Sequence, residues 1–167
     1  MGTRTVATPV ITVDVVMARQ AVGGMEIALI ERQNEPFAGM WALPGGKLEA
    51  QDDSLEATVV REVREETGVR LERALLRQLH CFSEQERDPR GRYLSVLYLA
   101  PLQSEKTSLQ AGDDASDARW FPLTDLPRLA FDHLLQLTVA VRYLHVHAVA
   151  IQESSVEALR ELVAASL

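Results

Sequence analysis

Residues 61–69 read Arg-Glu-Val-Arg-Glu-Glu-Thr-Gly-Val (REVREETGV), and the first six of them carry three carboxylates and two guanidiniums. The apolar residues between positions 54 and 67 recur at helical spacing. In a helix, Glu62 precedes Glu65 by three residues and Glu66 by four, so the three carboxylates share one face. Like charges at these offsets repel by a few tenths of a kcal/mol, so stability alone does not favour the arrangement.

This acidic face has two interpretations. In one, Arg61 and Arg64 offset the repulsion, and the helix carries an ordinary solvated charge patch. In the other, the carboxylates hold a divalent cation, because Mg²⁺ and Mn²⁺ prefer carboxylate and carbonyl oxygens as ligands. The charge pattern leaves both open, so the residues around the helix have to decide between them.

Length and composition exclude several classes of protein. A chain of 167 residues with 47% apolar and 25% charged residues is typical of one globular domain. Its formal net charge of -7 disfavours a nucleic acid polymer as partner, but allows a small anionic substrate that divalent cations bridge to the protein. No apolar run approaches the roughly 20 residues that cross a bilayer, and residues 1–16 lack the signal-peptide pattern. Because the single Cys81 also fits a reducing compartment, we expect a cytoplasmic protein without a membrane partner.

Hydrophobic periodicity predicts strands alternating with helices. Strands are predicted over residues 9–17, 26–31, 75–82, 93–100 and 118–122. Helices are predicted over residues 54–67, from residue 131 onward and over residues 155–165. Asp53 is the expected N-cap of the first helix, and Gly68 stands where a C-terminal glycine belongs. We therefore expect one α/β domain over residues 1–150, with residues 151–167 as its C-terminal helical tail.

A glycine-rich stretch ahead of the first helix gives the acidic face its context. Residues 45–49 (GGKLE), followed after a break by residues 61–69, resemble the box of the Nudix (MutT-like) hydrolases: a glycine, a spaced acid, then Arg-Glu-apolar-x-Glu-Glu-x-Gly-apolar. The second half of that pattern is matched at every defined position. The first half departs from it, because the interval is one residue longer and its acid is Asp53, or Asp52, rather than glutamate.

Three further segments look like the ADP-ribose pyrophosphatase-like branch of this family: residues 34–46 (NEPFAGMWALPGG), 87–101 (RDPRGRYLSVLYLAP) and 118–133 (ARWFPLTDLPRLAFDH). The resemblance implies the Nudix fold, an α/β/α sandwich in which helices flank a mixed sheet. It also implies a Mg²⁺-dependent pyrophosphohydrolase that cleaves the diphosphate of a nucleoside diphosphate linked to another moiety. ADP-ribose is the best guess for that substrate.

The resemblance assigns roles to the residues of the box. Glu62, Glu65 and Glu66 are expected to hold Mg²⁺, for which Mn²⁺ can substitute, and the Gly46 carbonyl is expected as a further ligand. Arg61 is expected to pair with the glutamates and orient them, with Glu49 as another partner. The catalytic set is therefore Arg61 with the three glutamates. The general base stays open between two glutamates and three acids of a polar loop: Glu65, Glu66, Asp113, Asp114 and Asp117.

Four residues outside the box are candidates for binding the substrate. Phe37, on a loop beside the glycines, is a candidate for stacking on a base. Arg90 and Arg92 belong to a cationic loop that either contacts a phosphate or ribose or is simply solvated. Asp114 is the fourth candidate, in the polar loop that could cover the site.

Other functions remain open at this point. One alternative is a hydrolase that removes oxidised nucleoside triphosphates of the 8-oxo-dGTP type. Another is a non-catalytic ADP-ribose-sensing module, since residues 129–133 (LAFDH) resemble Nudix-derived transcription regulators. Those regulators carry a winged-helix domain for which the roughly twenty remaining residues are too few, and the three glutamates favour an enzyme. The apolar residues of the tail would suit a homodimer interface.

Overall fold

A computed structural model describes residues 7–102, 106–112 and 115–147, together with the single positions Glu157, Glu161 and Ala164. The three single positions are helical, in keeping with the helix predicted over residues 155–165, whose other residues lie outside the described part. Asp113 and Asp114 also lie outside it.

The described strands form one mixed sheet. They are β1 (Val10–Ala21), β2 (Gly24–Arg32), β3 (Trp41–Ala42), β4 (Gly45–Lys47), β5 (Arg77–Phe82), β6 (Tyr93–Leu102) and β7 (Ala115–Pro122). The central path runs β3-β2-β1-β6-β5, with β4 paired to β1 and β7 paired to β2. β1 and β6 run parallel from Val10 opposite Tyr93 to Arg19 opposite Leu102, and the other pairs are antiparallel.

Two helices cover the opposite faces of this sheet. They are α1 (Leu55–Thr67) and α2 (His133–Val146). Successive side chains of a strand point to opposite faces, so Val13 and Val15 pack with Val63 of α1 while Val16 packs with Leu137 of α2. The α/β/α sandwich with a mixed sheet is therefore confirmed. In the described part of the chain, neither helix is both long and apolar enough to span a lipid bilayer.

Several predicted elements end elsewhere than expected: β1 extends to Ala21, and β7 begins at Ala115, which places Asp117 on a strand and not in the polar loop. Ser54, not Asp53, is the N-cap of α1, because its hydroxyl accepts a hydrogen bond from the Ala57 N–H. The segment predicted as a strand from residue 75 begins instead as a 3₁₀ turn, Arg73–Leu75, and β5 starts only at Arg77. The end of α1 is as predicted, with Gly68 in the left-handed region at φ 72° and its N–H bonded to the Arg64 carbonyl.

Candidate active site

The acidic face of α1 packs against the glycine strand β4. Glu66 accepts a hydrogen bond from the Gly45 N–H through Oε2, at 2.8 Å. A side chain at Gly46 would collide with Glu62, because its Cβ would lie 2.2 Å from the Glu62 Oε1. At Gly45, a Cβ would lie 2.1 Å from the Val13 carbonyl oxygen, so the β1 backbone requires that glycine, whereas at Gly46 the limit is set by Glu62.

Arg61 forms hydrogen bonds to several groups of this region. Its Nη1 donates to Glu62 Oε1 at 2.8 Å and to Glu65 Oε2 at 3.2 Å. Its Nη2 donates to the Lys47 carbonyl at 2.9 Å, which ties the helix to β4. The hydrogen bonds to its carboxylate partners, above all Asp52, raise the pKa of Arg61. The guanidinium therefore stays charged and holds two of the three glutamates in place.

Asp52 is the box acid that contacts Arg61. Its two oxygens accept from Arg61 Nε at 3.0 Å and Nη2 at 2.8 Å, and its side chain is only 4% exposed. The hydrogen bond to Arg61 holds the pKa of Asp52 well below its usual range. Asp53, the other candidate, forms an exposed ion pair with Arg73. Glu49, which we expected beside Arg61, contacts Gln51 instead.

The carboxylates on this face could serve as ligands of a hard divalent cation, because their ligand atoms are all oxygens. Glu65 is the most accessible, with 57% of its side chain exposed. Glu62 is largely buried, and desolvation raises the pKa of its carboxyl group despite the hydrogen bond from Arg61. Within residues 7–102, 106–112 and 115–147, no three carboxylate, imidazole or thiolate groups already converge on one point. Glu62 and Glu65 each bond to Arg61 through one oxygen, so their second oxygens can turn toward a cation while Arg61 keeps hold of both side chains.

A cleft opens beside α1 and has two compartments. Both are lined by Arg32, Gly45, Gly46, Glu66 and Arg90. The inner compartment, of about 510 Å³, adds Asp14, Asp88, Phe131 and His133, among others. The outer compartment, of about 870 Å³, adds polar residues that include Glu35, Lys47 and Glu62.

The four predicted substrate-binding residues are distributed unequally around this cleft. Arg90 lines both compartments, and Asp88 holds its guanidinium through Nε and Nη2. Phe37 packs edge-on against Phe131, with ring centroids 4.7 Å apart. Arg92 donates to the Ser83 carbonyl on an exposed loop. Asp114 lies outside the described residues.

Phe37 and Phe131 share an unusual backbone conformation. Their φ angles are 68° and 51°, in the left-handed region that bulky side chains rarely adopt. Such conformations persist only where the surroundings impose them, and they concentrate at functional sites. The guanidinium carbons of Arg32 and Arg90 lie 4.8 Å and 5.2 Å from the centre of the Phe131 ring.

Sequence reasoning missed three residues of the cleft, Arg32, Asp14 and His133. Arg32 ends β2, although the predicted strand stopped at residue 31 and left Arg32 in the following loop. Burial and the neighbouring charge of Arg90 lower its pKa. Asp14 did carry a signal, since it is the one charged residue in the apolar run of residues 9–17 (PVITVDVVM). His133 had no comparable signal, because its partners are remote in sequence.

Comparison with known proteins agrees with this geometry. The NUDIX domain family matches residues 8–139. An ADP-ribose pyrophosphatase of Methanocaldococcus jannaschii is 44% identical over 108 residues, which are 65% of this chain and 61% of that protein. The ADPR responsive transcriptional repressor NtrR of Acinetobacter baylyi is 36% identical over 79% of this chain and 54% of the repressor. The chain thus spans less than two thirds of the length of either relative.

Solved structures share the fold closely. The NUDIX domain of Shewanella oneidensis NrtR, in complex with ADP ribose, has a TM-score of 0.77 at 34% identity, covering 83% of this chain and 90% of that one. A MutT/nudix family protein of Enterococcus faecalis also has a TM-score of 0.77, at 31% identity, covering 95% of this chain and 70% of that one. With a family match over most of its length and this common architecture, the chain belongs to the NUDIX domain family.

Proposed function

We propose that this protein is a divalent-metal-dependent pyrophosphohydrolase whose substrate is ADP-ribose or a close relative of it. The observation that carries the proposal is the three-glutamate face of α1, which Arg61 and the glycine strand hold at the edge of a cleft. The similarity to an ADP-ribose pyrophosphatase over 65% of the chain supports the substrate.

Glu62, Glu65 and Glu66 would hold the metal, with the Gly46 carbonyl as a further ligand. Bound there, Mg²⁺, or Mn²⁺ in its place, would neutralise the diphosphate charge and lower the pKa of the attacking water. Arg61 keeps Glu62 and Glu65 at a fixed spacing, and Asp52 keeps Arg61 in its orientation. A fixed position of these side chains matters because phosphoryl transfer depends chiefly on positioning and charge neutralisation.

The proton of the attacking water needs an acceptor on this chain. Glu65 is exposed enough to reach such a water, and Glu66 lines both compartments of the cleft. Asp117, the other described candidate, lies on β7 rather than in a loop and forms an ion pair with Arg119. Asp113 and Asp114 lie outside the described residues and stay candidates. Arg32 and Arg90 line both compartments together with Glu66, and they supply positive charge for phosphate oxygens.

The remaining partner predictions follow from charge and composition. A net charge of -7 disfavours a nucleic acid polymer, so we propose a small nucleotide substrate as the ligand. We also propose a cytoplasmic location and a homodimer with the C-terminal tail at its interface. Size-exclusion chromatography with light scattering tests the dimer, since a monomeric mass would contradict it.

Two other functions have a specific observation behind them. The repressor relative and the ADP ribose complex of the NrtR NUDIX domain support a non-catalytic ADP-ribose sensor. A human 8-oxo-dGDP phosphatase, NUDT18, is 33% identical over 71% of this chain and supports a hydrolase of oxidised nucleotides.

A substrate panel separates these functions. We would measure hydrolysis with Mg²⁺ of ADP-ribose, NADH, diadenosine polyphosphates, nucleotide sugars, nucleoside triphosphates, 8-oxo-dGDP and 8-oxo-dGTP. Wild type would be compared with Glu65→Gln, and with Glu72→Gln as a matched control that removes an exposed carboxylate just beyond α1.

We expect ADP-ribose to be the best substrate, its turnover to be lost in Glu65→Gln and to persist in Glu72→Gln. If the protein hydrolyses the 8-oxo nucleotides faster than ADP-ribose, the proposed substrate is wrong and an oxidised nucleotide takes its place. Binding of ADP-ribose without turnover under any divalent metal would replace the enzyme by the sensor.

A further inference from the structure

The floor of the inner compartment, formed by Asp14 and His133, carries a carboxylate that accepts hydrogen bonds from described residues through one of its two oxygens only. Asp14 Oδ2 accepts hydrogen bonds from the Ser95 hydroxyl and from Gln136 Nε2, the latter at 2.7 Å, and Arg87 Nη2 lies 3.8 Å from it. For Asp14 Oδ1, the neighbouring polar group is His133 Nε2, at 3.6 Å. That distance is too long for a hydrogen bond, so Oδ1 keeps its capacity to accept one.

His133 presents a donor beside that oxygen. Its Nδ1 accepts a hydrogen bond from the Leu43 N–H at 2.9 Å, so Nδ1 carries no proton and the ring proton lies on Nε2. Burial supports this neutral form, because desolvation lowers the pKa of His133. The nearest cationic partner of Asp14 is Arg87, 3.8 Å from Oδ2, and Arg87 also forms a two-pronged pair with Asp132.

An acceptor and a donor 3.6 Å apart match one hydroxyl group. A hydroxyl both donates and accepts, so it can donate to Asp14 Oδ1 and accept from His133 Nε2 at the same time. A phosphate oxygen, which only accepts, would face the Asp14 carboxylate unfavourably. The paired groups therefore discriminate in favour of an alcohol.

The position of this pair limits which part of a ligand it can meet. The inner compartment is the smaller of the two, and Asp14, Asp88 and His133 in its wall are each no more than 8% exposed. Asp14 also lies opposite Gly45 in the β1–β4 pairing, and Gly45 is hydrogen-bonded to Glu66. A group on this floor is thus next to the acidic face and is surrounded by buried side chains.

We propose that the inner compartment is a sugar subsite, in which the Asp14 carboxylate and the His133 imidazole bind one hydroxyl of a sugar that ends the ligand. The proposal rests on the proposed function, because the sugar is taken to be joined to the diphosphate that α1 handles. In ADP-ribose, this sugar is the terminal ribose, and the adenosine half then extends through the outer compartment.

The test is a comparison of two uncleavable ligands. One is α,β-methylene ADP-ribose, and the other is α,β-methylene ADP, which lacks the terminal sugar. Isothermal titration calorimetry with Mg²⁺ would give the ratio of their Kd values for wild type and for Asp14→Asn. We expect the preference for the sugar-bearing ligand to fall about ten- to hundredfold in Asp14→Asn, as for other hydrogen bonds to a charged group.

Asp88→Asn is the matched control. Asp88 is a buried carboxylate of the same compartment, but both of its oxygens are occupied by Arg90. Its substitution should change both Kd values by the same factor and leave their ratio unchanged. An unchanged ratio in a folded Asp14→Asn protein would overturn the sugar subsite.

Wild-type protein provides a second measurement in case Asp14→Asn does not fold. Analogues of α,β-methylene ADP-ribose that each lack one hydroxyl of the terminal ribose should include one that binds about tenfold more weakly. Equal binding of all of them would overturn the subsite.

Hydrolysis of ADP-ribose, measured in parallel, separates the two proposals. If ADP-ribose is hydrolysed but Asp14→Asn does not alter the preference for the sugar-bearing ligand, only the subsite is rejected. Asp14-dependent preference without turnover rejects only the enzyme, and failure of both ligands to bind rejects both.

Discussion

The acidic face of α1 and the floor of the inner compartment are both networks of charged and polar side chains, but their partners lie at different distances along the chain. The contacts of Arg61 join residues that are 1, 4, 9 and 14 positions apart. The contacts of Asp14 and His133 join residues that are 81, 90 and 122 positions apart. A network of the first kind leaves a continuous motif in the sequence, whereas one of the second kind leaves only scattered residues.

Among changes that leave the three glutamates in place, the largest effect should come from filling the space between β4 and α1. In Gly46→Ala, the new Cβ would lie 2.2 Å from Glu62 Oε1, so the carboxylate must move. Because misplacing a catalytic group by about 1 Å can cost a hundredfold, we expect kcat/KM to fall by about a hundredfold. Steady-state kinetics measures it. Gly23→Ala, at a turn with open space around the glycine, is the control, and equal activity of the two variants would contradict the packing argument.

Arg61→Lys should have the next largest effect. Lysine keeps the charge but cannot hold Asp52, Glu62 and Glu65 with a planar fork. Loss of a residue that orients metal ligands typically costs ten- to hundredfold, so activity should fall by that factor. A titration of activity against Mg²⁺ should also shift to higher concentration. Arg64→Lys, an exposed arginine of the same helix, should behave as wild type, and an unshifted Mg²⁺ titration for Arg61→Lys would speak against an orienting role.

Comparing Asp52→Asn with Asp53→Asn shows which of the two aspartates is the acid of the box. We expect about a tenfold loss of activity for Asp52→Asn, because Arg61 loses its anchor, and no loss for Asp53→Asn, which alters an exposed ion pair. The opposite ranking would return the role of box acid to Asp53.

Acid unfolding distinguishes the same two aspartates. Pairing with Arg61 depresses the pKa of Asp52 in the folded protein, so its contribution to stability is present above the unfolded pKa near 4 and is lost as pH falls below it. The Tm of Asp52→Asn should therefore depend less on pH below about pH 5 than that of wild type. Parallel Tm curves for wild type and Asp52→Asn would show that the pair adds no such stability.

The smallest effects should come from the cationic loop. Arg90→Met should raise the KM for ADP-ribose by about three- to tenfold, because the nearby Arg32 retains part of the positive charge in the cleft. Arg92→Met, on the exposed part of the loop, should leave KM unchanged. An equal rise in both variants would indicate general attraction of the anionic substrate rather than contact by Arg90.

Sequence alone was sufficient for the fold class, for α1 and its Gly68 end, and for the family, because each depends on a periodic or contiguous pattern. It could not choose between Asp52 and Asp53, since that choice depends on which carboxylate Arg61 reaches once the chain has turned. It also passed over Arg32 and His133, whose roles exist only through neighbours from other elements. Asp14 stood out as a charge in an apolar strand, but its partners on β6 and α2 were not visible.

The long parallel pairing of β1 with β6 makes the centre of the sheet slow to form during folding. Paired residues of β1 and β6 are about 80 positions apart in the sequence, so their pairing closes a long loop. Closing that loop costs more entropy than closing the two-residue turn of the β1–β2 hairpin. Pulsed hydrogen exchange during refolding should protect the amides of that hairpin before those that bond β1 to β6. A newly made molecule would then complete the proposed sugar subsite only after the hairpin has formed, because Asp14 and Ser95 meet across the later pair of strands.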